Sequence, residues 1–445
     1  MFYLVFFVIL LRTSTSENAY LNLSLLAAVT ILSILKPENF RIISIAILGA
    51  VPYGTSGFFG VRIPYLTIFG LIGLLLLASD FFLRGFVPKI KFIDGVLALY
   101  VAVSLLTVFA TQRSATDWNE YIKWFLVLSF IFYIGSSMHS GSLLHIKPFV
   151  LGVSLGGFFT LLNYLYLIPS SSMNSILASF GYLVSPKSEK YFIFQGQNLS
   201  QRASGLYTEP NICASFMIVG LLLSIYLAKE VSRLFYASLI ICGSLLLLSY
   251  SRGAIFSLLL ALLVVSLTLG KVNLKIFLLL LSSSAISIIL IPNLRIRLFT
   301  SFSESDTGYQ DRVRTYSEKI GELFRYWEFG KGWGLAEFRN SYDAYWNLVP
   351  PNYFLAIWYR GGLIVASIGL GIMVFGLIAS LVSIRKRSKS VYLHIPFIAL
   401  CFQAQSGHAL GIQVQPISLF YFCLYLALSG SNTITNAKNQ NLSGL

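Results

Sequence analysis

Residues 201–230 read QRASGLYTEPNICASFMIVGLLLSIYLAKE, and this stretch indicates the fold of the whole chain. No charged residue interrupts the apolar run from 211 to 228. A helix of that length rises by about 27 Å, close to the roughly 30 Å of hydrocarbon in a bilayer. The stretch therefore predicts a transmembrane helix with a group of polar residues directly before it.

Comparable apolar runs recur along the entire chain. Its 445 residues are 56% hydrophobic and 11% charged, whereas a soluble domain has about 25% charged residues. The candidate spans are residues 2–11, 20–35, 40–52, 62–83, 92–110, 119–138, 147–168, 210–228, 233–249, 252–269, 274–292, 353–383, 391–410 and 414–430. The first and third are shorter than the roughly 17–25 residues of a usual span. The sequence therefore predicts an all-α polytopic membrane protein, a single integral membrane domain over 1–445 with about 12–14 transmembrane helices.

Basic residues indicate the orientation of these spans. They occur in loops that fall on one side if the spans alternate: Arg84, Lys89, Lys91, Lys229, Arg233, Lys271, Lys275, Arg385, Lys386, Arg387 and Lys389. Lys and Arg are retained on the cytoplasmic side, so we expect that side and both termini to be cytoplasmic. Two long polar segments then become extracytoplasmic loops, a medium one at 169–209 and a large one at 293–352.

The large loop contains an amphipathic pattern. In DRVRTYSEKIGELFRYW, residues 311–327, Val313, Tyr316, Ile320, Leu323 and Phe324 recur at helical spacing among charged residues. This pattern predicts a helix on or near the outer face of the membrane. The glycines of GKGWG, residues 330–334, are expected to end it.

Composition excludes several classes of function. The net charge of +15 follows from the cytoplasmic loops, so no nucleic-acid partner is expected. All four cysteines lie in apolar runs, and no phosphate-binding loop, dinucleotide-binding motif or zinc motif occurs. We expect no metal and no cofactor.

Four arginines lie at the predicted outer ends of helices or in the large loop: Arg202, Arg252, Arg312 and Arg314. A guanidinium stays charged and offers five donors in a planar fork, which suits phosphate oxygens. Together these groups could bind the pyrophosphate of a lipid-linked substrate. In the alternative interpretation, each arginine extends to the membrane interface or pairs with a loop carboxylate.

Two further groups could act on a sugar. Glu209 could accept a proton from an attacking hydroxyl, while Tyr207 and Asn211 order the glycan. Alternatively, Glu209 and Pro210 only favour the helix start. The amide-rich segment CFQAQSGHALGIQVQP, residues 401–416, contains His408, which could serve as a base or donor; its polar groups could equally form interhelical hydrogen bonds.

The order of these motifs resembles the bacterial O-antigen polymerase and O-antigen ligase family. Its pattern R-x-x-G-x-x-x-[DE]-P-N is similar to Arg202, Gly205, Glu209, Pro210 and Asn211. A short SRG turn and an arginine-led amphipathic helix ending in G-x-G follow in the family. In this sequence the turn corresponds to Ser251, Arg252 and Gly253. The helix and the glycines that end it correspond to Arg312, Gly330, Gly332 and Gly334.

This resemblance implies a metal-independent glycosyltransferase of the bacterial inner membrane. Its donor would be an undecaprenyl-pyrophosphate-linked glycan at the periplasmic face, and a chain-length regulator and a flippase would be partners besides the bilayer. Ligases commonly have a His-Asn pair before the span after the large loop, whereas here Pro351 precedes Asn352. The sequence thus favours a polymerase, with Asn352 as a substrate contact. The alternatives are a ligase that transfers the glycan to lipid A core, a lipid-linked glycan transporter and a scaffold subunit.

Overall fold

The computed structural model describes residues 2–16, 18–58, 61–84, 91–111, 115–138, 143–168, 170–182, 192–195, 198–269, 307–334, 352–386, 391–405 and 416–429. The helices are α1 Phe2–Thr15, α2 Ala19–Leu35, α3 Pro37–Ala50, α4 Tyr65–Arg84, α5 Phe92–Thr111, α6 Ala115–Ser137, α7 Leu143–Tyr164, α8 Ser170–Ser179, α9 Pro210–Glu230, α10 Phe235–Leu248, α11 Arg252–Thr268, α12 Thr307–Arg325, α13 Tyr353–Arg385, α14 Val391–Gln403 and α15 Pro416–Ser429. The strands are β1 Thr55–Phe58, β2 Val61–Pro64, β3 Phe192–Gln195 and β4 Asn198–Gln201.

The prediction of a helical membrane protein is confirmed. Five helices of the described part are long and apolar enough to cross a bilayer, namely α4, α5, α7, α9 and α13. The shorter apolar helices are α1, α2, α10, α11, α14 and α15. The number of spans stays a prediction, and the candidate span 274–292 lies outside the described residues.

Short strands occur where the sequence predicts helix or loop. Val61–Pro64 is a strand that pairs antiparallel with Thr55–Phe58, so the span predicted to begin at 62 begins at Tyr65. Pro64 explains the difference, because proline disfavours helical backbone at the residue before it. The segment 169–209 contains α8, a 3-10 turn at Gly205–Tyr207 and the antiparallel hairpin of β3 and β4.

The chain divides into two compact units, and the expectation of one membrane domain stays a prediction. The first comprises Met1–Pro88 and Leu126–Ala254, and the second comprises Lys89–Phe125 and Ile255–Leu445.

In the first unit, α3 and α7 approach closely through small residues. A side chain at Gly152 would overlap the backbone carbonyl of Ala46, and one at Gly156 would overlap that of Ala50. Residues spaced by four on each helix therefore face each other, as in small-xxx-small packing between membrane helices. The turn before α9 is attached to this helix pair through Tyr207, as described below.

In the second unit, α13 contacts α14 and α15 at another glycine. A side chain at Gly376 would collide with Phe397 of α14 and Leu424 of α15. Near its start, α13 is broken at Gly362, where φ is 85° and ψ is 172°. This backbone is open essentially only to glycine, so the break is specified by the sequence.

Candidate functional site

A group of polar side chains lies where the start of α9, the end of α10 and the start of α11 meet. We call Arg202, Glu209, Asn211, Ser249 and Ser251 the arginine–asparagine cluster. Arg202 is only 8% exposed. Its Nε donates to the backbone oxygen of Ser249 at 2.9 Å and its Nη2 donates to Oδ1 of Asn211 at 3.1 Å. The guanidinium is therefore fixed by two different helix ends.

Asn211 connects the charged members of the cluster. Its Oδ1 also accepts a hydrogen bond from Oγ of Ser251 at 2.9 Å. Its Nδ2 donates to Oε1 of Glu209 at 3.2 Å. One amide thus holds a guanidinium, a carboxylate and the turn before α11 in a fixed arrangement.

Glu209 stands at the N-cap position of α9 but makes no capping hydrogen bond with its side chain. Glu209 is partly exposed as a residue, and its carboxylate accepts a hydrogen bond from Asn211 instead. Burial raises the pKa of the Glu209 carboxyl, while the hydrogen bond from Asn211 and the charge of Arg202 oppose that rise. Pro210 at the first helical position and Glu209 at the N-cap agree with a role in starting the helix, so both interpretations of Glu209 stay predictions.

The backbone is strained directly before two members of the cluster. Thr208 has φ of 60° and Tyr250 has φ of 49°, and they precede Glu209 and Ser251. A β-branched residue such as threonine rarely adopts a positive φ. Tyr250 is held by a contact between its hydroxyl and that of Tyr164 at 3.2 Å. Such strain persists only where the surrounding structure enforces it, and it concentrates at functional sites.

Tyr207 has a different place from the one predicted. Its side chain is fully buried, and its hydroxyl donates to the backbone oxygen of Gly49 at 2.9 Å. In this conformation the hydroxyl cannot order a glycan. Instead it anchors the turn before α9 on the contact between α3 and α7.

The remaining predicted residues belong to other helices or lie outside the described residues. Arg252 follows Ser251 as the partly exposed first residue of α11. Asn352 is the N-cap of α13, where it accepts from the backbone of Leu355 at 3.2 Å and donates to Oε1 of Gln405 at 3.1 Å. Arg312 and Arg314 belong to the first turns of α12, with side chains outside the described part, and His408 also lies outside the described residues.

A second group of polar side chains surrounds Trp333, in the other unit. The indole Nε1 of Trp333 donates to Oγ1 of Thr107 at 3.1 Å, and the buried guanidinium of Arg360 lies 4.9 Å from the ring centroid. The backbone of Gly334 donates to Oδ1 of Asp117 at 2.5 Å. The sequence analysis did not single out Arg360 or Asp117. Arg360 was detectable as an arginine before two glycines within an apolar run.

The turn at residues 327–334 completes the broken helix α13. The backbone NH of Lys331 donates to the carbonyl of Tyr359 at 2.7 Å, and that of Gly332 donates to the carbonyl of Arg360 at 3.2 Å. The carbonyl of Trp327 accepts from the NH of Leu363 at 2.8 Å. A break in a membrane helix frees backbone groups that need partners, and the turn supplies them.

An ion cluster holds α12 beside this junction. Glu322 accepts from Nζ of Lys319 at 3.2 Å, from Nζ of Lys331 at 3.3 Å and from the hydroxyl of Tyr359 at 2.5 Å. Burial raises the pKa of Glu322, but the hydrogen bonds from Tyr359 and Lys319 outweigh this and hold it below its ordinary value. Glu322 is therefore ionised at neutral pH and ties α12 to α13.

No protein-family model matches this sequence, and no curated protein matches it either. The resemblance to the O-antigen polymerase and ligase family thus stays a prediction that rests on short motifs. The geometry of the arginine–asparagine cluster is therefore the basis for a proposal of function.

Proposed function

We propose that this chain is a membrane glycosyltransferase that polymerises undecaprenyl-pyrophosphate-linked repeat units at the periplasmic face of the bacterial inner membrane. The observation that supports this is the fixed pairing of Arg202 with Glu209 through the amide of Asn211. A phosphate-binding group and a proton acceptor side by side are what transfer from a lipid pyrophosphate to a sugar hydroxyl needs.

Arg202 and Arg252 bind the pyrophosphate of the donor in this mechanism. The bond between the anomeric carbon and a pyrophosphate oxygen breaks, and the negative charge that develops on the leaving group is stabilised by the guanidinium groups. The acceptor hydroxyl oxygen forms the new bond to the anomeric carbon. Its proton passes to Glu209, and undecaprenyl pyrophosphate leaves.

The environment of Glu209 suits this role. Burial raises its pKa, and a carboxylate with a raised pKa accepts a proton more readily than an ordinary one. The hydrogen bond from Asn211 directs one carboxylate oxygen, so the other is the oxygen that would accept the hydroxyl proton. Asn211 and Ser251 act as positioning residues, because their polar atoms are engaged within the cluster.

A ligase would use the same chemistry with lipid A core as its acceptor, and a transporter would move the lipid-linked glycan without breaking a bond. The test uses purified protein in detergent, where no compartments exist, with a lipid-linked oligosaccharide repeat. Chain growth on a gel supports the polymerase. Transfer only to added lipid A core identifies the ligase, and an unchanged substrate with an intact fold contradicts both enzymes.

Arg202→Ala is the informative variant for this assay, and Arg233→Ala is its matched control. Arg233 is an exposed arginine in the loop that joins the other ends of α9 and α10. We expect Arg202→Ala to abolish chain growth and Arg233→Ala to leave it unchanged. Equal activity of the two variants would remove Arg202 from the site.

A further inference from the structure

The helix α12 exposes an apolar stripe that the reaction does not use. Val313 is 50% exposed, Ile320 is 45% exposed and Phe324 is 65% exposed. Trp327, in the turn that follows, is 50% exposed. The spacing of seven and four residues places Val313, Ile320 and Phe324 in one line along the helix, and Trp327 follows them in the turn. Four large apolar side chains in a row therefore face outward.

The other sides of α12 have different surroundings. Lys319 and Leu323 are buried on the side of α13, where Lys319 and Glu322 interact with each other and with Tyr359. Glu318 and Arg325 are exposed on a third side. The helix thus has one face on protein, one charged face and one apolar face. In water alone such an apolar face would have no reason to stay exposed.

The stripe contacts the candidate membrane span α13. The ring of Phe324 packs edge-on against Trp358 of α13 at 5.7 Å, and Trp358 lies 5.9 Å from Phe354. Further along α13, one of the five candidate spans, Ile364 is exposed. The apolar stripe of α12 therefore adjoins aromatic side chains of a helix that is long and apolar enough to cross a bilayer.

We propose that the stripe formed by Val313, Ile320, Phe324 and Trp327 lies in the lipid interface, so that its occupant is the bilayer itself. Tryptophan and phenylalanine are favoured where headgroups meet acyl chains, and an interfacial helix places its apolar face about 5–10 Å into this boundary. Glu318 and Arg325 then face the headgroups and water.

This placement holds the segment 307–334 on two sides. Lipid contacts the apolar stripe, while the ion cluster around Glu322 and the turn at Lys331 attach the segment to α13. The proposal does not depend on the reaction catalysed, because it rests on the exposure and the spacing of these side chains.

The test measures which solvent reaches each face of α12. Full-length protein is reconstituted in vesicles, with a nitroxide attached to Val313→Cys, Ile320→Cys or Phe324→Cys in separate samples. Glu318→Cys, on the exposed charged face, is the matched control. The four native cysteines are buried, namely Cys213, Cys242, Cys401 and Cys423. They should react poorly with the spin label, and labelling of the unmodified protein measures this background.

Oxygen concentrates in lipid, whereas a nickel chelate stays in water. We expect oxygen to accelerate the spin relaxation of the nitroxide more than the nickel chelate does at the three stripe positions. At Glu318→Cys we expect the nickel chelate to have the larger effect. Equal access of nickel to all four positions overturns the proposal. So does spin–spin broadening that disappears on dilution with unlabelled protein, since a second copy would then cover the stripe. Phe324→Cys removes a ring contact with Trp358, so Val313→Cys and Ile320→Cys decide the result if that variant fails to fold.

Discussion

The guanidinium of Arg202 donates to the side-chain oxygen of Asn211 at 3.1 Å, although a strained turn lies between the two residues. The same oxygen accepts from Ser251, which follows α10. A single amide therefore fixes the position of the arginine relative to Glu209 and relative to a second arginine, Arg252, at the start of α11. Substitutions in this cluster should change the reaction more than they change the fold.

Replacement of Arg202 by lysine should lower chain growth strongly. An ammonium lacks the planar fork with which the guanidinium reaches both Ser249 and Asn211 and which suits bidentate contact with phosphate oxygens. The expected loss in kcat is on the order of 100-fold, as for removal of one donor that stabilises developing charge. Product formation from lipid-linked repeats is the measurement. An Arg202→Lys protein with unchanged kcat would show that charge alone is needed.

The pH dependence of chain growth should follow Glu209. As a base it must be ionised, so activity falls as pH falls through its raised pKa. Glu209→Gln should abolish chain growth at every pH. A profile without an acid limb in the native protein would exclude Glu209 as the base.

Stability should respond to the same group with the opposite sign. Because burial raises the pKa above that of the unfolded chain, the folded state holds this proton more tightly. The free energy of unfolding therefore falls as pH rises between the two pKa values. Glu209→Gln should remove that decrease, which thermal unfolding of the two proteins across pH can measure.

Asn211→Asp separates positioning from binding. The new carboxylate keeps an oxygen for Arg202 and Ser251, but it loses the donor to Glu209 and adds a like charge beside it. Like charge raises the pKa of a carboxyl, so the acid limb of the activity profile should move to higher pH. A lower rate with an unmoved limb would contradict the contact between Asn211 and Glu209. Asn211→Leu, which lacks all polar atoms, should lower kcat at every pH.

Gly362→Ala should disrupt the junction between the turn and α13. Alanine would be strained at this φ by roughly 1–3 kcal/mol, and its Cβ would collide with the backbone of Glu328. We expect about tenfold faster cleavage by trypsin after Lys331, since about 1.4 kcal/mol is a factor of ten in an opening equilibrium. Gly371→Ala is the control on the same helix, because a Cβ there meets open space. Equal cleavage of the two variants would contradict the role of the turn.

Tyr207→Phe should destabilise the first unit by about 1 kcal/mol, the net contribution of a typical hydrogen bond. The lost bond is the one to the carbonyl of Gly49. Tyr236→Phe, on the exposed side of α10, is the control. Thermal unfolding in detergent measures both. Direct contact of Tyr207 with the glycan would instead raise KM and leave the unfolding temperature unchanged.

The helical membrane fold could be predicted from apolar runs, because hydrophobic length is a property of local sequence. The closeness of Arg202, Glu209 and Asn211 was also expected, since they share one short segment. The contact with Ser251 was not, because it depends on how the ends of α10 and α11 pack against α9. Arg360 was missed for a related reason: only the docked turn gives a buried arginine its partners. The strand Val61–Pro64 was not predicted, because most of its residues were assigned to the candidate span 62–83.

The break at Gly362 has a consequence for biogenesis. As one continuous rod, the 33 residues of α13 would measure about 50 Å, longer than a bilayer is thick, whereas residues 363–385 measure about 34 Å and suffice to cross it. The translocon can therefore insert the later part alone. Residues 327–332 leave the ribosome earlier and must wait for Tyr359 and Arg360 before their backbone groups are paired. The turn at residues 327–334 can therefore be completed only after the start of α13 has been synthesised.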